Sequence, residues 1–194
     1  KIGRDAQRIQ ESLVKAVDKK SASLESRIAA LYAISLRNES GSVDLLKNWI
    51  NDPELAEYAL RALMDRKDRE ELGLEPVIEQ FIKHDEPRVQ LQAVVPAAHL
   101  DMVELTDTLL ALSVEEPRQP LVKDVAHVHE AVPHTARRAL IQMAPVGALH
   151  EALANPKVRE PALAVLRQIH TSENVSQLIA LLEASKNPDE TMDL

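Results

Sequence analysis

The chain has no cysteine, 4 glycines and only one Trp, two Tyr and one Phe among 194 residues. Each shortage excludes something. Without thiols there is no disulfide framework, no thiolate nucleophile and no cysteine metal site, and the compartment stays unmarked. Scarce glycine removes the residues that tight β-hairpin turns call for. With aromatics at 2%, Leu, Ala, Val and Ile must build the interior, which suits close-packed helices. No apolar run approaches the roughly 20 residues a membrane-spanning helix needs, so no membrane insertion is expected. The start lacks the pattern of a secretory leader. The chain opens on Lys1 rather than Met, which leads us to expect a processed product or a piece of something longer.

Positive charge is also short. Lys and Arg number 23 against 31 Asp and Glu, for a net charge of −8. Such a chain repels phosphate backbones, so no nucleic-acid partner is expected, whereas a basic protein or peptide fits the field. Hydrophobic content of 45% supplies a normal core, and the length suits one sizeable domain rather than two.

What the sequence does have is a recurrence. Ala30, Ala59, Ala93, Ala139 and Ala162 each precede an apolar residue in similar amphipathic stretches. A proline stands six residues before the last four: Pro53, Pro87, Pro133 and Pro156. Apolar spacing predicts helices over Arg4–Val17, Leu24–Leu36 and Val43–Ile50. After these, helix, break, helix units recur. The first helices are Glu54–Met64, Arg88–Leu100, His134–Met143 and Lys157–Ile169, and the second are Leu74–Ile82, Met102–Leu112, Val146–Leu153 and Val175–Leu182. Proline at 53, 87, 133 and 156 is read as opening the first helix of its unit, with Asp52 and Asn155 as N-caps. Pro96 and Pro161 fall inside first helices and are expected to kink them. Small Ala at the anchor lets paired helices approach; the next residue (Leu31, Leu60, Val94, Leu140, Leu163) and the one three further on (Ile34, Leu63, Ala97, Met143, Leu166) fill the seam.

This pattern resembles HEAT repeats, carried by Pro53–Leu63, Pro87–Ala97, Pro133–Met143 and Pro156–Leu166, including the KVREPALAVL run at Lys157–Leu166. The resemblance implies an all-α fold: a right-handed α-solenoid of about five stacked antiparallel helix pairs. It divides the chain into an N-terminal helix and connector over 1–23, repeats over 24–183, and a C-terminal tail over 184–194. Residues 113–133 are an irregular insertion or an extra helix, with Ala126 again six residues after a proline, Pro120. The stretch Pro133–Leu182 is similar, more narrowly, to HEAT segments of large bacterial secreted proteins with propeller dehydrogenase and cytochrome c domains. No Cys-x-x-Cys-His haem site is present here.

In that family the second helices line the concave surface. Carried over, the second helices and their entry residues place Glu75, Glu79, Asp101, Glu104, Asp107 and Glu151 on an acidic inner face, joined by Glu173 and Glu183. The first helices place Arg27, Arg61, Arg88, Arg137, Arg138, Lys157, Arg159 and Arg167 on a more basic outer one. The expectation is a scaffold binding a protein or peptide in an acidic groove, without catalysis or cofactor. The same charges also fit a merely solvated face.

Two other readings stand beside it. His127, His129 and His134, with Glu130, form the densest histidine cluster and could hold a divalent metal. His127 and His129 converge only if that segment is extended, because on a helix they point about 200° apart. The dipeptides His129-Glu130 and His150-Glu151 resemble the HEAT-type di-iron deoxyhypusine hydroxylases, but they do not share a repeat phase. The remaining reading is a structural spacer in a multidomain redox protein. Trp49, Tyr58 and Phe81 are read as core filling. No Gly-rich phosphate loop, HExxH pattern or nucleophile elbow appears, and no catalytic residue is nominated. The compartment stays open between bacterial cytoplasm and periplasm.

Overall fold

The structure, a computed structural model, describes residues 2–37, 39, 41–114 and 126–184. Side-chain surroundings are described over 5–37, 39, 41–114 and 131–183. Among the described residues the regular structure is all helical. The chain divides into two compact units, Lys1–Leu74 and Glu75–Leu194.

The first unit holds α1 (Ile2–Asp18), α2 (Leu24–Arg37), α3 (Ser42–Trp49) and α4 (Ala56–Met64). Ser23 starts α2 because its Oγ accepts the Ser26 N–H at 3.3 Å, satisfying a donor the first helical turn would leave bare. Gly41, at φ 84°, turns the chain into α3, in a conformation that penalises any residue with a Cβ. α2 packs on α1, α3 and α4, and α3 packs on α4. Leu31, Ile34, Leu46, Ala59, Leu60 and Leu63 are fully buried among them.

The second unit holds α5 (Glu75–Phe81), α6 (Pro87–His99), α7 (Thr106–Leu112), α8 (Ala126–Met143), α9 (Val146–Ala152), α10 (Arg159–Leu166) and α11 (Ser172–Ala184). Within it α6 packs on α8 and α8 on α10, forming one row of first helices. α7 packs on α9 in a second row, while α7 also meets α8 and α9 meets α10. Every anchor alanine is buried, Ala30, Ala59, Ala93, Ala139 and Ala162 alike, and so are the seam residues that follow them. The side chain of Ala126 lies outside the described residues.

Four local expectations are corrected. Pro133 does not open its helix: α8 starts at Ala126 and runs through it. The proline forfeits one backbone bond, a loss that packing of α8 on α6, α7 and α10 offsets. Beside the interruption, Thr135 Oγ1 donates to the Ala131 carbonyl at 2.7 Å. Pro161 sits in the first turn of α10, where no N–H is needed, so it does not interrupt that helix. Asp52 and Asn155 do not cap α4 and α10. Each accepts a backbone N–H two residues on (Glu54 at 3.0 Å, Lys157 at 3.1 Å), a matched turn one step ahead of the helix. Finally, the helix expected over Met102–Leu112 is α only from Thr106, after a single 3₁₀ turn at Val103–Leu105.

The end of α6 explains that delay. Asp101 takes φ 53°, Met102 N–H reaches back to the Ala97 carbonyl at 2.9 Å and Asp101 N–H to Ala98 at 3.4 Å. This double closure satisfies the last carbonyls of α6 and turns the chain sharply. Pro96 lies inside α6, and the helix continues past it to His99.

Candidate acidic groove

All eight carboxylates assigned to the acidic face lie in the second unit, six of them on α5, α7, α9 and their entry residues and Glu173 and Glu183 on α11. Glu79, Asp101, Glu104, Asp107 and Glu151 are exposed and Glu75 is half-buried. None of them forms an ion pair with another described residue. The structure brings two of the six into one groove, Asp107 and Glu151, and does not bring the others there.

Helix periodicity builds this groove. On α7, Leu109 and Leu110 are buried against neighbouring helices, which leaves Asp107 and Ala111 in a stripe on the free side, with Val114 exposed just past the helix end. The Thr106 hydroxyl fixes the start of that stripe by donating to the Val103 carbonyl at 2.6 Å. On α9, Val146 and Leu149 are buried, which turns Ala148, Glu151 and Ala152 outward, with Asn155 continuing the line. The two stripes face one trough of about 960 Å³, with Leu110 and Val158 also lining it. Lys157 lines it too, and its backbone N–H donates to Asn155 Oδ1 at 3.1 Å. Sequence reading put Lys157 on the opposite, basic face. It moves because α10 begins only at Arg159, so Lys157 belongs to the connection and not to the first helix.

Arg27, also assigned to the basic face, is another correction. Its side chain is 2% exposed in the first unit. It donates to the Val17 carbonyl at 2.7 Å, to Asp52 at 2.6 Å and to Glu54. Desolvation pushes the Asp52 carboxyl up. The Arg27 hydrogen bond, the Glu54 N–H and the charges of Arg27 and Lys20 together outweigh it and hold the group below the usual carboxylate range. Arg27 is therefore a structural tie and not part of a binding face.

Asn174 is a residue that sequence reading missed. Fully buried, it donates from Nδ2 to the Leu166 and Ile169 carbonyls at 2.7 Å each, capping the end of α10. Both of its N–H groups being spent, its Oδ1 accepts from His150 Nε2 at 3.0 Å. His150 is thereby tied to α11 through one of its two ring nitrogens. The readable signal was Thr171, whose hydroxyl accepts the Asn174 N–H at 3.2 Å, a start-of-helix pattern three residues apart.

The histidine cluster gains no geometry. The backbone over 126–143 is helical, so the extended segment that convergence required is not there. His134 is exposed, and the side chains of His127, His129 and Glu130 lie outside the described residues. Among the described residues no three His, Asp or Glu side chains gather as a metal site. Trp49 and Phe81 are buried, as core filling requires; Trp49 Nε1 also donates to Asp18 at 2.9 Å, and Tyr58 is half-buried. No helix among the described residues is long and apolar enough to cross a membrane. No family model and no curated protein matches the chain.

Proposed function

We propose that this chain is a HEAT-like, right-handed α-solenoid module of about five helix pairs that binds a protein or peptide partner through the second-helix face of residues 75–184. It acts without catalysis or cofactor, as a scaffold within a larger polypeptide or complex. Two rows of helices in the second unit, α6–α8–α10 and α7–α9, support the architecture. So does the buried alanine at the equivalent position of every pair.

The observation that carries the binding reading is the set of second-unit carboxylates, Glu79, Asp101, Glu104, Asp107 and Glu151, which are exposed and form no ion pair with another described residue. Uncompensated like charge costs a folded chain some self-repulsion and attracts a basic surface. The test is calorimetric titration with basic and acidic peptide pools. Basic peptides should bind, weaken as salt rises, and lose roughly tenfold or more in affinity when Glu104 and Asp107 are both changed to Lys. Affinity for the basic pool that is indifferent to both salt and charge reversal would remove the electrostatic reading.

A further inference from the structure

Exposed helix faces usually carry long polar side chains. α1 follows that rule, presenting Asp5, Gln7, Arg8, Glu11, Ser12 and Lys15 to solvent beside a single large apolar residue, Ile9. The facing stripes of α7 and α9 break it. Ala111 and Ala148 are exposed, Ala152 is half-buried and Val114 is 37% exposed. These alanines do not serve internal packing, since Leu109 and Leu149 on the same helices already fill the interior and are completely buried. Their effect is to hollow the trough: long side chains at 111, 148 and 152 would close it. A carboxylate stands on each wall, Asp107 on α7 and Glu151 on α9, and neither forms an ion pair with Lys157, which also lines the trough.

Apolar lining between two unpaired anionic walls has one complementary shape in a polypeptide. We propose that the α7–α9 groove receives a segment of a partner protein in which a Lys or Arg adjoins an apolar side chain. The apolar group lies against Ala111, Ala148 and Ala152, and the cation reaches Asp107 and Glu151. Each part alone is weak. A cation on an exposed carboxylate gains little because water competes for both charges. An apolar group in an open trough gains area but no direction. Joined, the buried group excludes water beside the charges, and the charges fix the register of the chain. This inference rests on the acidic-face reading and narrows it to one groove and one local chemistry.

The whole chain, labelled with 13C at its alanine methyl groups, is titrated by NMR with acetyl-Leu-Arg-amide, acetyl-Leu-Gln-amide and acetyl-Leu-Glu-amide. The methyls of Ala111, Ala148 and Ala152 should shift saturably with the Leu-Arg compound, several-fold more weakly with Leu-Gln, and not with Leu-Glu. Asp107→Asn combined with Glu151→Gln should weaken the Leu-Arg titration roughly five- to tenfold. Ala148→Leu, at an exposed position, should block it while leaving the melting temperature near that of the parent. Equal affinity for all three compounds overturns the inference, as does the absence of saturable shifts at the three methyls. If basic peptide pools still bind but shift other alanines, the groove is wrong while the acidic-face reading stands. If those pools do not bind at all, that reading fails and this one with it.

Discussion

At Arg27 the first unit buries a guanidinium whose desolvation would cost several kcal/mol if it stood alone. Its three acceptors come from two places: the Val17 carbonyl near the end of α1, and Asp52 and Glu54 in the turn before α4. One side chain thus ties three segments together. Because Asp52 is held below the ordinary carboxylate pKa, its contribution is fully present above that value, about 3.9. It is lost as pH falls through the lower value of the folded state. Asp52→Asn should cost about 1–3 kcal/mol at neutral pH. The gap between parent and variant should hold constant down to about pH 5 and close below about pH 4. Urea denaturation of both proteins at pH 7, 5, 3.5 and 2.5 checks this, since other carboxylates cancel in the difference. A gap unchanged at the lowest pH would mean that Asp52 is not the ionised partner of Arg27.

Among the elements, the alanine seam separates positions by what they touch. Ala93 in α6 is completely buried, whereas Val95, two residues on, is 42% exposed. Adding three carbons to a filled interior forces neighbours off their rotamers or the helices apart. Ala93→Leu should therefore destabilise the protein by about 1–3 kcal/mol. Val95→Ala should stay within about 0.5 kcal/mol. Chemical denaturation followed by circular dichroism measures both, and a tolerated leucine at 93 would mean that α6 does not approach its neighbours closely. The paired turns at Asp52-Pro53 and Asn155-Pro156 show the same discrimination in reverse. Proline set their local geometry, but the α-helices begin only at Ala56 and Arg159.

For the molecule as a whole, the division after Leu74 has an energetic consequence. Residues 75–184 contain two rows of helices with their own buried seam, from Ile78 through Ala93, Leu109, Leu140 and Leu149 to Leu166. A stretch with an interior of its own can fold without the rest. A fragment of residues 75–194 is expected to keep helical circular dichroism and melt in one cooperative transition. A gradual melt, or loss of helicity, would show that its burial is borrowed from residues 1–74. At the end of this unit, α11 leaves Val175 and Ile179 at 45% and 50% exposure.

Helix order and seam register were in the sequence, because a 3.6-residue turn sends Ala93, Val94 and Ala97 to one side whatever packs there. Asp107 and Glu151 were assigned to one acidic face by the resemblance to HEAT repeats. Spacing could not pair them, since it carries no information about which helix lies opposite. Nor could it tell Arg27, Asn174 and Lys157 from ordinary surface residues. Their burial or their neighbours come from segments far along the chain, and only the packing of α1, α2 and the turn before α4, and of α7, α9, α10 and α11, decided what each of them does.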